Sequence, residues 1–138
     1  MRTLRGGAAF VFCVLVACSS KAPQDANAGA GTGATLRDFN IALESMPATA
    51  GSTTFDIAND GPSTHEFVVL RTDVAADTLP VDGGVINEDN IDLVDEVEDI
   101  APGTLSYLTV DLTPGRYVLV CNIAGHYSAG MRVGFTVT

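Results

Sequence analysis

Cys121-Asn122-Ile123-Ala124-Gly125-His126-Tyr127-Ser128-Ala129-Gly130-Met131, close to the end of the 138-residue chain, decides the reading of the whole sequence. A thiol, an imidazole and a thioether fall here at C-x4-H-x4-M spacing. Both flanks are β-rich. Arg116 to Val120 precedes the stretch, and Arg132 to Thr138 follows it with Val133, Phe135 and Val137 in the alternation of a half-buried strand. A short loop between two strands lets three donors wrap a single ion. Gly125 and Gly130, each just before a donor, allow backbone angles that a Cβ resists. Cys and Met are soft ligands that favour copper, and imidazole suits copper as well.

A second imidazole has one candidate, because the chain holds two histidines. His65 opens the run His65-Glu66-Phe67-Val68-Val69-Leu70, directly after the turn signal Asn59-Asp60-Gly61-Pro62. His65, Phe67 and Val69 share one face, which is expected to be the core face. Further strands are expected where Phe39, Ile41 and Leu43 alternate, where Thr53, Phe55 and Ile57 alternate, and over Thr104 to Leu112. In the last of these, Leu105, Tyr107, Thr109 and Asp111 lie on one side. Short strands punctuated by Gly and Pro predict an all-β sandwich. The segment 74–100 is ambiguous. Ile86, Leu93, Val94, Val97 and Ile100 approximate a helical stripe, while Ile91, Leu93 and Val97 also fit a strand. It is read as a partly helical or irregular excursion between strand pairs.

The chain opens with two basic residues, Arg2 and Arg5, followed by an apolar run from Ala8 to Val16 that is too short to span a bilayer. Residues 1–17 therefore read as a secretory signal peptide. Leu15-Val16-Ala17-Cys18 looks like a bacterial lipobox, which implies cleavage before Cys18 and lipidation of its sulfur. The remainder of 18–34, rich in Ala, Gly and Ser, is a flexible tether of roughly 50 Å when fully extended at about 3.3 Å per residue. Residues 35–138 form the domain. Without Arg2 and Arg5 the balance is five basic against seventeen acidic residues, a net charge of −12. Such a balance argues against nucleic acid and against electrostatic adhesion to anionic lipid, leaving the lipid anchor as the membrane contact. The expected location is the periplasmic or cell-surface face of a bacterial membrane. Cys121 is then the one unmodified thiol, which excludes a disulfide framework and fits metal ligation.

The loop motif, the mid-sequence His65 and the strand context together resemble the cupredoxin family, the single-domain type 1 blue-copper proteins that include plastocyanin, rusticyanin and sulfocyanin. The resemblance covers about Thr35 to Thr138 and is densest from Pro114 to Val137. It implies a Greek-key β-sandwich or barrel holding one copper ion. It also implies roles: Cys121 the charge-transfer thiolate, His65 and His126 completing a trigonal plane, and Met131 a long axial ligand that tunes potential. In the family the loop His reaches the surface and passes the electron, which places the electron port at His126 beside Ala124, Gly125, Tyr127 and Ala129. Glu66 stands where many members carry an Asn after the first His.

The implied activity is single-electron transfer between extracytoplasmic redox proteins, with no catalysis by the chain alone. An alternative is copper sequestration or delivery; three Met in all leave no Met-rich tract for it. A metal-free β-sandwich that binds a protein or polysaccharide is a third reading. Val120 and Asn122 beside Cys121 exclude the His flanks of a trinuclear oxidase, and one loop Cys excludes a binuclear site. Seven carboxylates between Glu88 and Asp99 form either a solvated face or a docking patch for a basic redox partner. Partners are expected near His126 or this acidic segment 88–99.

Overall fold

The computed structural model describes residues 31–138. The expected signal peptide, Cys18 and most of the expected tether lie outside these described residues. Two four-stranded sheets form the body. The first contains β1 (Thr32–Arg37), β2 (Asn40–Leu43), β3 (Gly51–Asn59) and β8 (Leu105–Leu112), in the order β2-β1-β3-β8. The second contains β4 (His65–Arg71), β7 (Asp92–Ile100), β9 (Gly115–Val120) and β10 (Arg132–Val137), in the order β10-β9-β4-β7. A small hairpin, β5 (Val81–Asp82) with β6 (Val85–Ile86), and the short helix α1 (His126–Ala129) lie outside the sheets. The β-sandwich read from the sequence is the fold. β1 begins earlier than Thr35, because Thr32 and Ala34 pair in parallel with β3 and are buried despite their weak apolar signal.

The main core lies between the sheets. Leu36, Phe55 and Ile57 of the first sheet meet Phe67, Val69, Leu119 and Phe135 of the second. Phe55 and Phe67 tilt against each other across it, centroids 5.2 Å apart. A second core lies on the outer face of β4 and β9, where Val68, Leu70, Val118 and Val120 are covered by Leu79, Ile86 and Tyr127. Burial on both faces explains why these two strands read as continuous apolar runs rather than alternations. The excursion after β4 is thus a cover for the sheet.

Only the first part of 74–100 is irregular. Residues 74–91 hold the β5–β6 hairpin and a 3-10 turn at Glu88–Asn90, where Asn87 Oδ1 accepts the Asp89 N–H at 3.0 Å. Asp92–Ile100 is strand, not helix. It pairs antiparallel with β4 through His65–Ile100, Phe67–Val97, Val69–Asp95 and Leu70–Leu93, so β7 carries an extra residue in two places. Each bulge flips the alternation to the other face. That is how apolar residues came to stand at helix-like intervals on a strand. Phe39 also departs from its expected alternation: it sits in the β1–β2 turn, 44% exposed, while Ile41 is buried.

Candidate metal centre

His65 opens β4 at the mouth of the sandwich and is fully buried. The turn before it is pinned from within by Asn59, itself buried. Its Nδ2 donates to the carbonyls of Ser63 (2.8 Å) and Ile100 (2.7 Å), and its Oδ1 accepts from the Gly61 N–H (3.0 Å). Cys121 follows the end of β9. The Cys121 N–H donates to the Met131 carbonyl at 3.1 Å, and the Met131 N–H to the His126 carbonyl at 3.1 Å, which closes the loop on itself. Gly125 (φ 86°) and Gly130 (φ 121°) hold left-handed backbone at the two ends of α1, where a side chain would be strained. Met131 is buried in the main core together with Cys121.

This folding brings His65, Cys121 and His126 together. The two Nδ1 atoms are 3.3 Å apart, and Cys121 Sγ lies 3.3 Å from His126 Nδ1 and 3.8 Å from His65 Nδ1. A point equidistant from the three atoms lies about 2.0 Å from each, close to metal–imidazole bond length and somewhat inside metal–thiolate length. Two nitrogens and a sulfur converging at this spacing fit an ion of copper type.

Two strands of chain support the cluster. The Glu66 N–H donates to Cys121 Sγ at 3.3 Å, so Glu66 serves the thiolate through its backbone whatever its side chain. Burial pushes the Cys121 thiol up, outweighing the pull of the Glu66 and Ile123 N–H groups. Burial pulls the His65 imidazole down, outweighing the Asp38 carboxylate. Asp38, in the β1–β2 turn, accepts from Ser63 Oγ at 2.6 Å, and that hydroxyl holds its carboxyl below the usual range. Glu66 is pushed up by burial first and then by Glu98, Glu88, Glu96 and Asp99, so both ends of the acidic segment act on this neighbour of His65.

The ligand loop is fastened to the excursion. Asn122 Oδ1 accepts the Ile86 N–H at 2.7 Å; its Nδ2 donates to the Ile86 carbonyl and to Glu88 Oε1. The Gly125 N–H donates to the Gly84 carbonyl at 2.9 Å. Tyr127 Oη donates to the Ala76 carbonyl and accepts the Leu79 N–H, both at 2.9 Å. Tyr127 therefore points inward, unlike its exposed neighbours Ala124, Gly125 and Ala129, and the surface beside His126 is completed by Phe39 instead. The Phe39 ring meets the half-buried His126 ring edge-on, centroids 5.0 Å apart. Nothing local in the sequence marks Asp38, Phe39 or Ser63 as neighbours of the centre.

The model of the sulfocyanin (SoxE) domain matches residues 8–138. No curated protein matches the chain. Among solved structures, the dithionite-reduced auracyanin of Roseiflexus castenholzii is similar over 78% of this chain and 94% of its own, at 17% identity and a TM-score of 0.55. Auracyanin B covers 79% of this chain and 87% of its own, at 22% identity and a TM-score of 0.56. Rusticyanin from Thiobacillus ferrooxidans covers 80% of this chain and 79% of its own, at 18% identity and a TM-score of 0.55. These likenesses establish the fold, and the domain match over nearly the whole chain establishes the family. The chain belongs to the sulfocyanin family of cupredoxins, the blue-copper proteins.

Proposed function

We propose that this protein carries single electrons between extracytoplasmic redox partners, and that His65 Nδ1, His126 Nδ1, Cys121 Sγ and the Met131 thioether would hold its copper ion. Bound copper supplies the one-electron couple between Cu(II) and Cu(I). The observation that carries the reading is the donor triangle, which two separate parts of the chain build without help from any flexible side chain. His65, Cys121 and Met131 are buried in a rigid sandwich, so the donors keep their places when the charge at the centre changes. Water is excluded on that side. His126 alone of the four reaches the surface, which makes it the electron port.

Phe39, Ala124 and Ala129 surround that port with small or apolar surface suited to close approach. The acidic segment, whose Glu88 accepts from Asn122 next to Cys121, supplies long-range attraction for a basic partner. The lipobox-like Leu15-Val16-Ala17-Cys18 supports export and attachment of the chain through lipid on Cys18. No helix among the described residues is long and apolar enough to cross a membrane.

The test is the visible absorption of the copper-loaded protein. An intense thiolate-to-copper band is expected, bleached by ascorbate. Cys121→Ser removes it; Met131→Gln keeps it and lowers the potential. A pale tetragonal spectrum, or a blue Cys121→Ser variant, would refute the ligand assignment.

A further inference from the structure

His65 Nε2 is a buried ring nitrogen facing away from the other donors, and one group faces it. Asp38 Oδ1 lies 2.9 Å away as a close charged neighbour, in a direction that does not make a hydrogen bond, and Nε2 has no hydrogen-bond partner among the described residues. A neutral imidazole carries one N–H. Nδ1 converges with Cys121 Sγ and His126 Nδ1 and must present its lone pair to bind a metal, so the proton falls on Nε2, towards the carboxylate.

The carboxylate is itself held. Ser63 Oγ donates to Asp38 Oδ2 at 2.6 Å, leaving Oδ1 for the ring. Space around the pair is reserved by Gly61. A Cβ there would come within 3.0 Å of both Asp38 Oδ1 and His65 Nε2, although its backbone conformation does not itself demand glycine. Asn59 pins Gly61 and Ser63 in one turn. Three residues of the turn and one of the β1–β2 hairpin thus converge on a single contact.

We propose that Asp38 is a positioning residue of the copper centre: its carboxylate fixes the His65 ring with the proton on Nε2 and holds the midpoint potential below the value an uncharged partner would give. A carboxylate behind a metal-bound imidazole orients the ring and strengthens it as a donor. Its negative charge, close behind the buried ring, also stabilises the more positive oxidation state. Both effects favour Cu(II) over Cu(I). Only the second is lost when Asn replaces Asp, because an Asn carbonyl can stand where Oδ1 stands beside Nε2.

The inference rests on His65 as a copper ligand, and the experiment separates the two ideas. Potentiometry on the copper-loaded full chain should show the midpoint potential raised in Asp38→Asn with the visible band retained, and Asp38→Glu should lie nearer to the parent protein. Nitrogen-15 NMR of the metal-free parent protein should show His65 protonated at Nε2 and bare at Nδ1, a result that needs no variant to fold. An unchanged or lowered potential in Asp38→Asn overturns the proposal, and so does an Nδ1–H tautomer. If His65→Gly instead keeps the blue band, the ligand reading fails first and takes this inference with it.

Discussion

The two histidines of the centre occupy opposite environments. His65 stands on a sheet strand, wholly buried, with a carboxylate behind it and a turn pinned by Asn59 in front. His126 opens a four-residue helix in a loop, half-buried, with Phe39 at its edge and exposed alanines around it. Two residues of one type, 3.3 Å apart at their Nδ1 atoms, are thereby divided in role. In the proposed function the strand side would fix the geometry of the centre and the loop side would open it to a partner. Each half needs the other's opposite: a centre buried all round exchanges electrons slowly, and one exposed all round lets water in as a ligand.

Removing each ring in turn breaks this contrast most severely. Both His65→Gly and His126→Gly are expected to lose the blue band. Added imidazole should restore it in His126→Gly, where solvent reaches the gap. In His65→Gly it should take at least about tenfold more imidazole, equivalent to about 1.4 kcal/mol. Absorbance titrations of the two copper-loaded variants measure this, and equal rescue would erase the distinction between the two sides.

A smaller effect is expected where the loop is fastened. Tyr127→Phe removes the hydroxyl that serves the Ala76 carbonyl and the Leu79 N–H. Leaving those buried groups unpaired costs about 1–3 kcal/mol. Denaturant unfolding should show that loss, and chelators should withdraw copper faster from the variant. If stability falls but copper release does not quicken, the loop owes its shape to its own backbone bonds.

The least drastic change leaves the fold alone and sharpens the role of the exposed side. With a basic redox protein as partner, the second-order rate should fall on the order of tenfold as ionic strength rises from about 10 mM to about 150 mM. Glu96→Gln with Glu98→Gln should flatten that slope. A rate insensitive to salt would make the acidic strand β7 a solvated edge, whose carboxylates only keep it from pairing with another chain.

Much of this was legible before any coordinates. Cys121, His126 and Met131 announced themselves by short spacing, since neighbours in one loop stay neighbours in space. His65 followed because no other imidazole was on offer. The alternations around Phe55 and Phe135 identified β3 and β10 because each has one face against the core, and the apolar run through Phe67 identified β4. The alternation in β7 was scrambled by two bulges, and a helix-like stripe was the result. β1 was hidden because Thr32 and Ala34 are buried by backbone pairing rather than by apolar bulk.

Sequence alone therefore determined the kind of sheet fold, the donor chemistry and the identity of the candidate ligands, because periodicity and donor type are local properties of the chain. Only the tertiary structure decided what stands behind each candidate ligand. Asp38 reaches His65 from the β1–β2 turn, the Glu66 N–H reaches Cys121 Sγ from β4, and Asn122 and Tyr127 fasten the loop to a segment some 34 to 51 residues away in the chain. Such contacts depend on which strands become neighbours across the two sheets. That is settled by burying both faces of β4 and β9 together, and no single stretch of sequence contains it.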